Sequence, residues 1–327
     1  MFLYRDVLSQ AWKNTWQNKY LWFFGLFAAL LGGWGDLEIV FRGLNGSEQG
    51  MPGVRMMAHM LFNGKLFSNV SQTAATGESS FAFGSFFILL VILIIALFLF
   101  WLTIVSQSAL VYNMMRIVTK KKHDLGSGVE MGIKKFWPVL SLNLLLKFVI
   151  YGLFSLFGLC IMKNAVGQSG LGLDGLYPII AFIIFIPLAV ILSFITKYAI
   201  CYTVIKGEKL YDSLKLSWHL FLRNWLVSLE MAFILFFIAF VFALGFLLFF
   251  LILSIPFLFV VVIFSQVYLM VNLWLITAAA LILFLLIIVL AGSILSAFQV
   301  SSWTILFLEL ISRGGSSKLM RLFSRNK

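Results

Sequence analysis

Acidic residues are scarce. The chain of 327 residues has 12 Asp and Glu against 24 Lys and Arg, and charged residues of both signs make up only 11% of it. A soluble domain carries about 25% charged and about 45–50% apolar residues. This chain is 62% apolar with a mean hydropathy of +1.05, which excludes an ordinary water-soluble domain and assigns it to a bilayer. Cysteine is almost missing. Cys160 and Cys201 fall near opposite membrane faces in the topology below, which argues against a disulfide, and neither stands in metal-ligand spacing. Only three histidines occur, His59, His123 and His219, and no His or acidic pair recurs at catalytic spacing inside an apolar run. The chain therefore reads as a non-enzyme without a cofactor.

Long apolar runs and Trp-bearing basic segments are what the chain has instead. Lys209 to Glu230, read as a helix, puts Leu210, Leu214, Trp218, Phe221, Leu222 and Trp225 on one stripe, with Asp212, Lys215, His219 and Arg223 on the other. That pattern predicts a helix lying flat on a membrane surface and leading into the apolar run from Leu226. Residues 4–20 repeat it, with Leu8, Trp12, Trp16 and Tyr20 opposite Arg5, Gln10, Lys13, Asn14 and Gln17. So do residues 125–136, where Leu125, Val129, Ile133, Phe136 and Trp137 oppose Glu130 and Lys134. Trp12, Trp16, Trp137, Trp218 and Trp225 are the expected membrane-surface anchors. The start of the chain lacks a clear small-residue cleavage site and contains Asp6, so it reads as mature protein, not a secretory signal.

The predicted fold is all-α and integral to the membrane, with about six transmembrane helices and three amphipathic helices at the cytoplasmic face. The first span, from about Tyr20 to Trp34, is about 15 residues, or roughly 22 Å of helix, short of a hydrocarbon core of about 30 Å. Residues 35–80 form an external polar loop, with a short helix predicted from 53 to 68 after Pro52. The second span is Phe81–Val111. Pro138 marks a break before the third, Val139–Met162, and a Gly-rich turn at 164–175 leads to the fourth, Leu176–Thr196. The fifth is Leu226–Leu253. The 57 residues from Ser254 to Leu310 hold almost no charge. They read as a bent or partly inserted connector, Pro256–Met270, and a sixth span, Leu273–Leu310, with four short crossings as the alternative.

Charge sorting supports this topology. Lys and Arg divide 18 to 4 between the two sides, the majority flanking the surface helices and filling the tail at 312–327. The positive-inside rule then puts both termini on the cytoplasmic side of the membrane. The net charge of +12 is thereby explained by topology, so nucleic acid is not expected as a partner. The lipid bilayer is, with anionic lipids at the cytoplasmic face.

The pattern D-x-L-x3-W-x5-N occurs twice, pairing Asp6 with Asp212, Leu8 with Leu214, Trp12 with Trp218 and Asn18 with Asn224. The middle copy keeps the stripe and pairs Trp137 with Trp225. One polytopic domain, 1–327, is thus divided into repeats of a surface helix and two spans, at about 4–118, 125–205 and 209–311. The segments AWKNTWQNKYLWFFGLFAAL at 11–30, LYDSLKLSWHLFLRNWL at 210–226 and SSWTILFLEL at 301–310 resemble a group of poorly characterised prokaryotic six-span membrane proteins. That group is similar to the membrane domain fused to some glycerophosphodiester phosphodiesterases. The resemblance implies a membrane domain only, because the catalytic barrel and its His and acidic metal ligands are absent from this sequence.

Several polar residues stand out against the apolar background. Lys147 lies about 10 residues beyond Trp137, roughly 15 Å into the membrane, and Glu230 about 5 residues beyond Trp225, roughly 7.5 Å deep. An ion pair between Lys147 and Glu230, with Asn143 nearby, would link spans three and five, either as a structural pair or as a polar pocket. Met51, Met56, Met57, Met60 and His59 offer soft ligands without a defined site spacing. Gly128 and Gly132 make a small-residue pair on a surface helix, suited to close packing. Two roles follow: binding, organising or moving lipid or a small amphipathic solute, or serving as an assembly partner of another membrane complex.

Overall fold

Short helices lead into apolar ones, and in two places a single residue, Lys135 or Asn224, separates them. The computed structural model describes residues 3–29, 79–166, 176–266 and 270–313. In chain order its helices are α1 (Leu3–Gln17), α2 (Tyr20–Ala29), α3 (Ser79–Val118), α4 (Leu125–Lys134), α5 (Phe136–Val166), α6 (Leu176–Cys201), α7 (Leu210–Arg223), α8 (Trp225–Gln266) and α9 (Met270–Arg313). There is no strand among the described residues. The described residues of Met1–Leu26 and Val105–Lys327 form one compact unit, and those of Phe27–Ile104 another.

Among the described residues, four helical stretches are long and apolar enough to cross a membrane: Leu90–Val118, Pro187–Lys206, Trp225–Pro256 and Ile282–Ser312. Two shorter apolar helices, Tyr20–Ala29 and Phe136–Gly152, stand where the first and third spans are predicted. The long helices are apolar on every side, as membrane solvent allows: Phe233, Phe236, Phe237, Phe240 and Leu247 on α8 are all exposed. In the second unit the same holds for α3, where Ile92, Leu93, Ile94 and Ile95 are exposed and Phe98 stacks on Trp101 with centroids 6.0 Å apart.

Burial is concentrated elsewhere. In the first unit it gathers around the short helices and the parts of the long helices that touch them. Tyr4, Val7, Ala11 and Thr15 on α1 are buried, as are Gly128 and Gly132 on α4, and Ser213, Ser217 and Phe221 on α7. These positions recur every three or four residues and form a seam of mostly small side chains. Small residues let two backbones approach where lipid supplies no hydrophobic drive.

Three expectations from the sequence are corrected. The segment Lys209–Glu230 is not one helix: α7 ends at Arg223, and Asn224 caps it before α8 begins. Pro138 does not mark the break before α5. The break is at Lys135, and Pro138 sits in the first turn of α5, where its missing N–H has no intrahelical partner to lose. Pro256 does not end the fifth apolar helix either; α8 continues through it to Gln266, and α9 begins at Met270, so 256–266 is a helical continuation of the fifth span and not a separate connector. At 1.5 Å per residue, the 42 residues of α8 extend about 63 Å, twice a hydrocarbon core. The turn predicted at 164–175 begins later, since α5 runs to Val166; its remainder, the predicted helix at 53–68, the Met and His59 cluster and the basic tail beyond Arg313 lie outside the described residues.

Candidate functional site

Two of the three junctions between a short helix and the apolar helix that follows it are built alike. At the end of α1, the side-chain amide of Asn18 donates to the carbonyl of Asn14 at 2.9 Å. At the end of α7, Asn224 donates in the same way to Leu220 at 3.1 Å. Each of these carbonyls also accepts from the backbone N–H of the same asparagine, at 3.1 Å in both junctions, so the amide adds a second bond at the helix end. The first junction adds a second tie, with Trp22 Nε1 donating to the carbonyl of Thr15 at 3.0 Å. In the middle copy Lys135 occupies the break. With Lys135 set against Asn224, Gly128 falls on Ser217 and Gly132 on Phe221, so Trp225 matches Phe136 and not Trp137. The pairing of Trp137 with Trp225 by pattern alone was therefore off by one residue.

Each short helix rests on the long helix that precedes it, and the first rests on the last. α4 lies against α3: a methyl group added at Gly128 would meet the Asn113 amide, and one added at Gly132 would meet the Val105 backbone. α7 lies against α6, where Thr203 and Ser213 share a hydrogen bond of 2.8 Å and the rings of Phe194 and Phe221 lie 5.8 Å apart. α1 lies against α9, where Thr15 donates to Ser301 at 3.4 Å and Trp12 meets Phe298 edge-on at 5.7 Å. Gly25 on α2 faces the Ser293 carbonyl and Ala297 in the same way. The order is cyclic, closing the chain's beginning on its end.

Further polar links join the long helices to one another. Tyr198 and Ser228 share a hydrogen bond of 2.7 Å between α6 and α8. Asn143 donates to Gln107 at 2.8 Å, joining α5 to α3, and to the carbonyl of Val139 at 2.9 Å. Inside a membrane such bonds average about 0.6 kcal/mol and reach about 1.7 kcal/mol, so they orient helices more than they stabilise them. The end of α6 departs from α geometry in a π turn, Tyr202–Lys206, which Gly207 terminates at φ 78°. A residue with a side chain is strained in that left-handed conformation, and glycine is not.

The residues singled out in the sequence divide clearly. Trp12, Trp16, Trp137, Trp218 and Trp225 are all exposed, from 46% to 73%, on the outer surface beside the seams. Trp12 stacks on Trp16 at 5.4 Å, and Trp16 meets Trp22 at 5.3 Å. Lys147 and Glu230 are each partly buried, while Asn143 is 8% exposed and is committed to Gln107 and its own helix. Gly128 and Gly132 do bring two helices together, as the spacing suggests. The matching seam at Ser213 and Ser217 went unread because serine looks polar. Its signal was the same i, i+4 spacing of small residues.

Two further features escaped sequence reading. Lys197 places its ammonium 4.5 Å from the Trp303 ring centroid and 6.0 Å from that of Phe194. Aromatic faces offset part of the cost of a cation in this setting, by about 0.5–2 kcal/mol. The second feature is an open pocket of about 580 Å³, lined by Arg116, Lys120, Lys121, Lys122, His123, Asp124 and Ser127. Tyr20 reaches it from α2, its hydroxyl 2.9 Å from His123 Nδ1, and the rings stack at 6.0 Å. Among the described residues no group of three or more His, Cys, Asp and Glu side chains converges as a metal site. No family model, curated protein or solved structure matches the chain.

Proposed function

We propose that this is a six-span protein of the prokaryotic cytoplasmic membrane that binds, organises or moves lipid or a small amphipathic solute without catalysing a reaction. In this reading α1, α4 and α7 are amphipathic helices on the cytoplasmic surface, both termini are cytoplasmic, and each short helix steers a pair of crossings. A relation to the membrane domain of glycerophosphodiester phosphodiesterases, without its barrel, belongs to the same reading. The observation that carries it is the recurring junction: a small-residue seam turned toward protein, with tryptophans turned outward beside it. An indole at that position suits the headgroup level, where one edge is apolar and the other wet. The test is mass spectrometry of the protein purified in native nanodiscs. A reproducible, stoichiometric lipid supports the reading, and its absence defeats it.

A second reading, assembly with another membrane complex, is favoured by the length and exposure of α8. Its 42 residues exceed what one crossing needs, and Phe233, Phe236, Phe237, Phe240, Phe249 and Phe259 lie exposed on it. In the same nanodisc experiment this reading predicts a reproducible protein partner in place of the lipid.

A further inference from the structure

We propose that the pocket between α3 and α4 binds the phosphate of an anionic membrane lipid, with a phosphomonoester headgroup preferred. This deepens the lipid-binding reading above and rests on it. The walls carry four cations, Arg116 and Lys120 to Lys122, against the single carboxylate of Asp124. That carboxylate is already engaged. Asp124 is the N-cap of α4: its Oδ1 accepts from Leu125 N at 2.7 Å, and with Ser127 it forms a reciprocal capping box. Among the described residues no ion pair holds the three lysines, and Arg116 Nε is buried without a hydrogen-bond partner while its Nη1 donates to the Tyr112 hydroxyl at 2.7 Å. Cationic donors therefore outnumber the acceptors the protein supplies.

The backbone points the same way. α3 ends in a paired cap, with Lys120 N donating to the Ile117 carbonyl at 3.1 Å and Lys121 N to the Arg116 carbonyl at 2.9 Å. Such a cap needs one residue in the left-handed region, and glycine is the usual choice. Here it is Lys120, at φ 55°, the sole non-glycine residue with positive φ among those described. A strained lysine held where glycine fits better marks a side chain that is needed there. The hydrogen bond between Tyr20 and His123 anchors the loop from its other end. A phosphomonoester carries about −1.5 to −2 charge near neutral pH, more than the single charge of a phosphodiester, and so matches this excess of cations better.

The full chain is reconstituted in phosphatidylcholine nanodiscs doped with phosphatidate, and retained phosphatidate is counted by native mass spectrometry. Lys120→Gly should weaken phosphatidate binding about fivefold, the near-surface contribution of one lysine, while raising the unfolding midpoint by relieving the backbone. Replacing Lys120, Lys121 and Lys122 together with alanine should weaken it roughly 100-fold. Lys134→Ala, on the exposed side of α4, should change it less than twofold. Equal phosphatidate retention by wild type and both pocket variants overturns the pocket, and the lipid-binding reading then survives if wild type still carries stoichiometric lipid. A wild type that carries no stoichiometric lipid defeats both. Displacement by glycerol 3-phosphate at the lipid's own concentration would make this a site for a soluble phosphate and overturn the lipid assignment.

Discussion

A single missing side chain sets how closely α4 approaches α3. Gly128 faces Asn113, whose side chain is fully buried and whose amide makes no hydrogen bond, so little space is left for even a methyl group. Gly126, two residues earlier on the same helix, is exposed, and an added methyl there meets only Asp124 Oδ2 at 3.5 Å. Gly128→Ala should therefore destabilise by about 1–3 kcal/mol through overpacking. Gly126→Ala should be neutral or stabilise by up to about 1 kcal/mol through helix propensity. Thermal unfolding followed by circular dichroism in one detergent distinguishes them; equal midpoints would remove the close-approach argument. The glycine pair at 128 and 132 was legible in the sequence because its spacing is unmistakable. The role of Ser213 and Ser217 was not, since hydrophobicity alone separates serine from the buried face it occupies.

Helix boundaries follow a related division. The Trp-bearing segments and the apolar runs after them were legible, because both composition and period change there. The break points within them were not. Asn18 and Asn224 each end a helix by bonding back to a carbonyl, a local contact that apolar periodicity does not register. Pro256 misled in the opposite direction: proline breaks helices in water, yet in a membrane helix its freed carbonyl is compensated and the helix continues. The packing of α8 on α9 has a direct check. Phe250 on α8 and Phe284 on α9 have ring centroids 5.0 Å apart. Cysteines at 250 and 284 should crosslink in membranes. A pair at 240 and 284, displaced about 15 Å along the helix, should not. The reverse outcome would dismantle the packing of α8 on α9.

For the whole molecule, the charge pattern was legible and the cyclic packing was not. Basic residues flank every short helix, a one-dimensional signal that needs no fold. The contact of Thr15 with Ser301 joins positions 286 residues apart, and no local pattern reports such a pairing. Together the two make a topological prediction. Single cysteines at 121 and 209 should react with a membrane-impermeant thiol reagent only from the cytoplasmic side, in inverted vesicles and not in intact cells. Labelling of either in intact cells would overturn the assignment of sides. The candidate pocket was only half legible: the run Lys120-Lys121-Lys122 is plain in the sequence, whereas the left-handed cap and the reach of Tyr20 to His123 are properties of the fold.

The resting of α1 on α9 has a consequence for how the chain is written. Because the opening helix completes a seam on the closing one, each short helix finds its neighbour whichever repeat is synthesised first. Covalent order and spatial order are thereby uncoupled. A permuted gene, starting just after Gly207 and running through a linker from the old end to the old beginning, would encode the same set of seams.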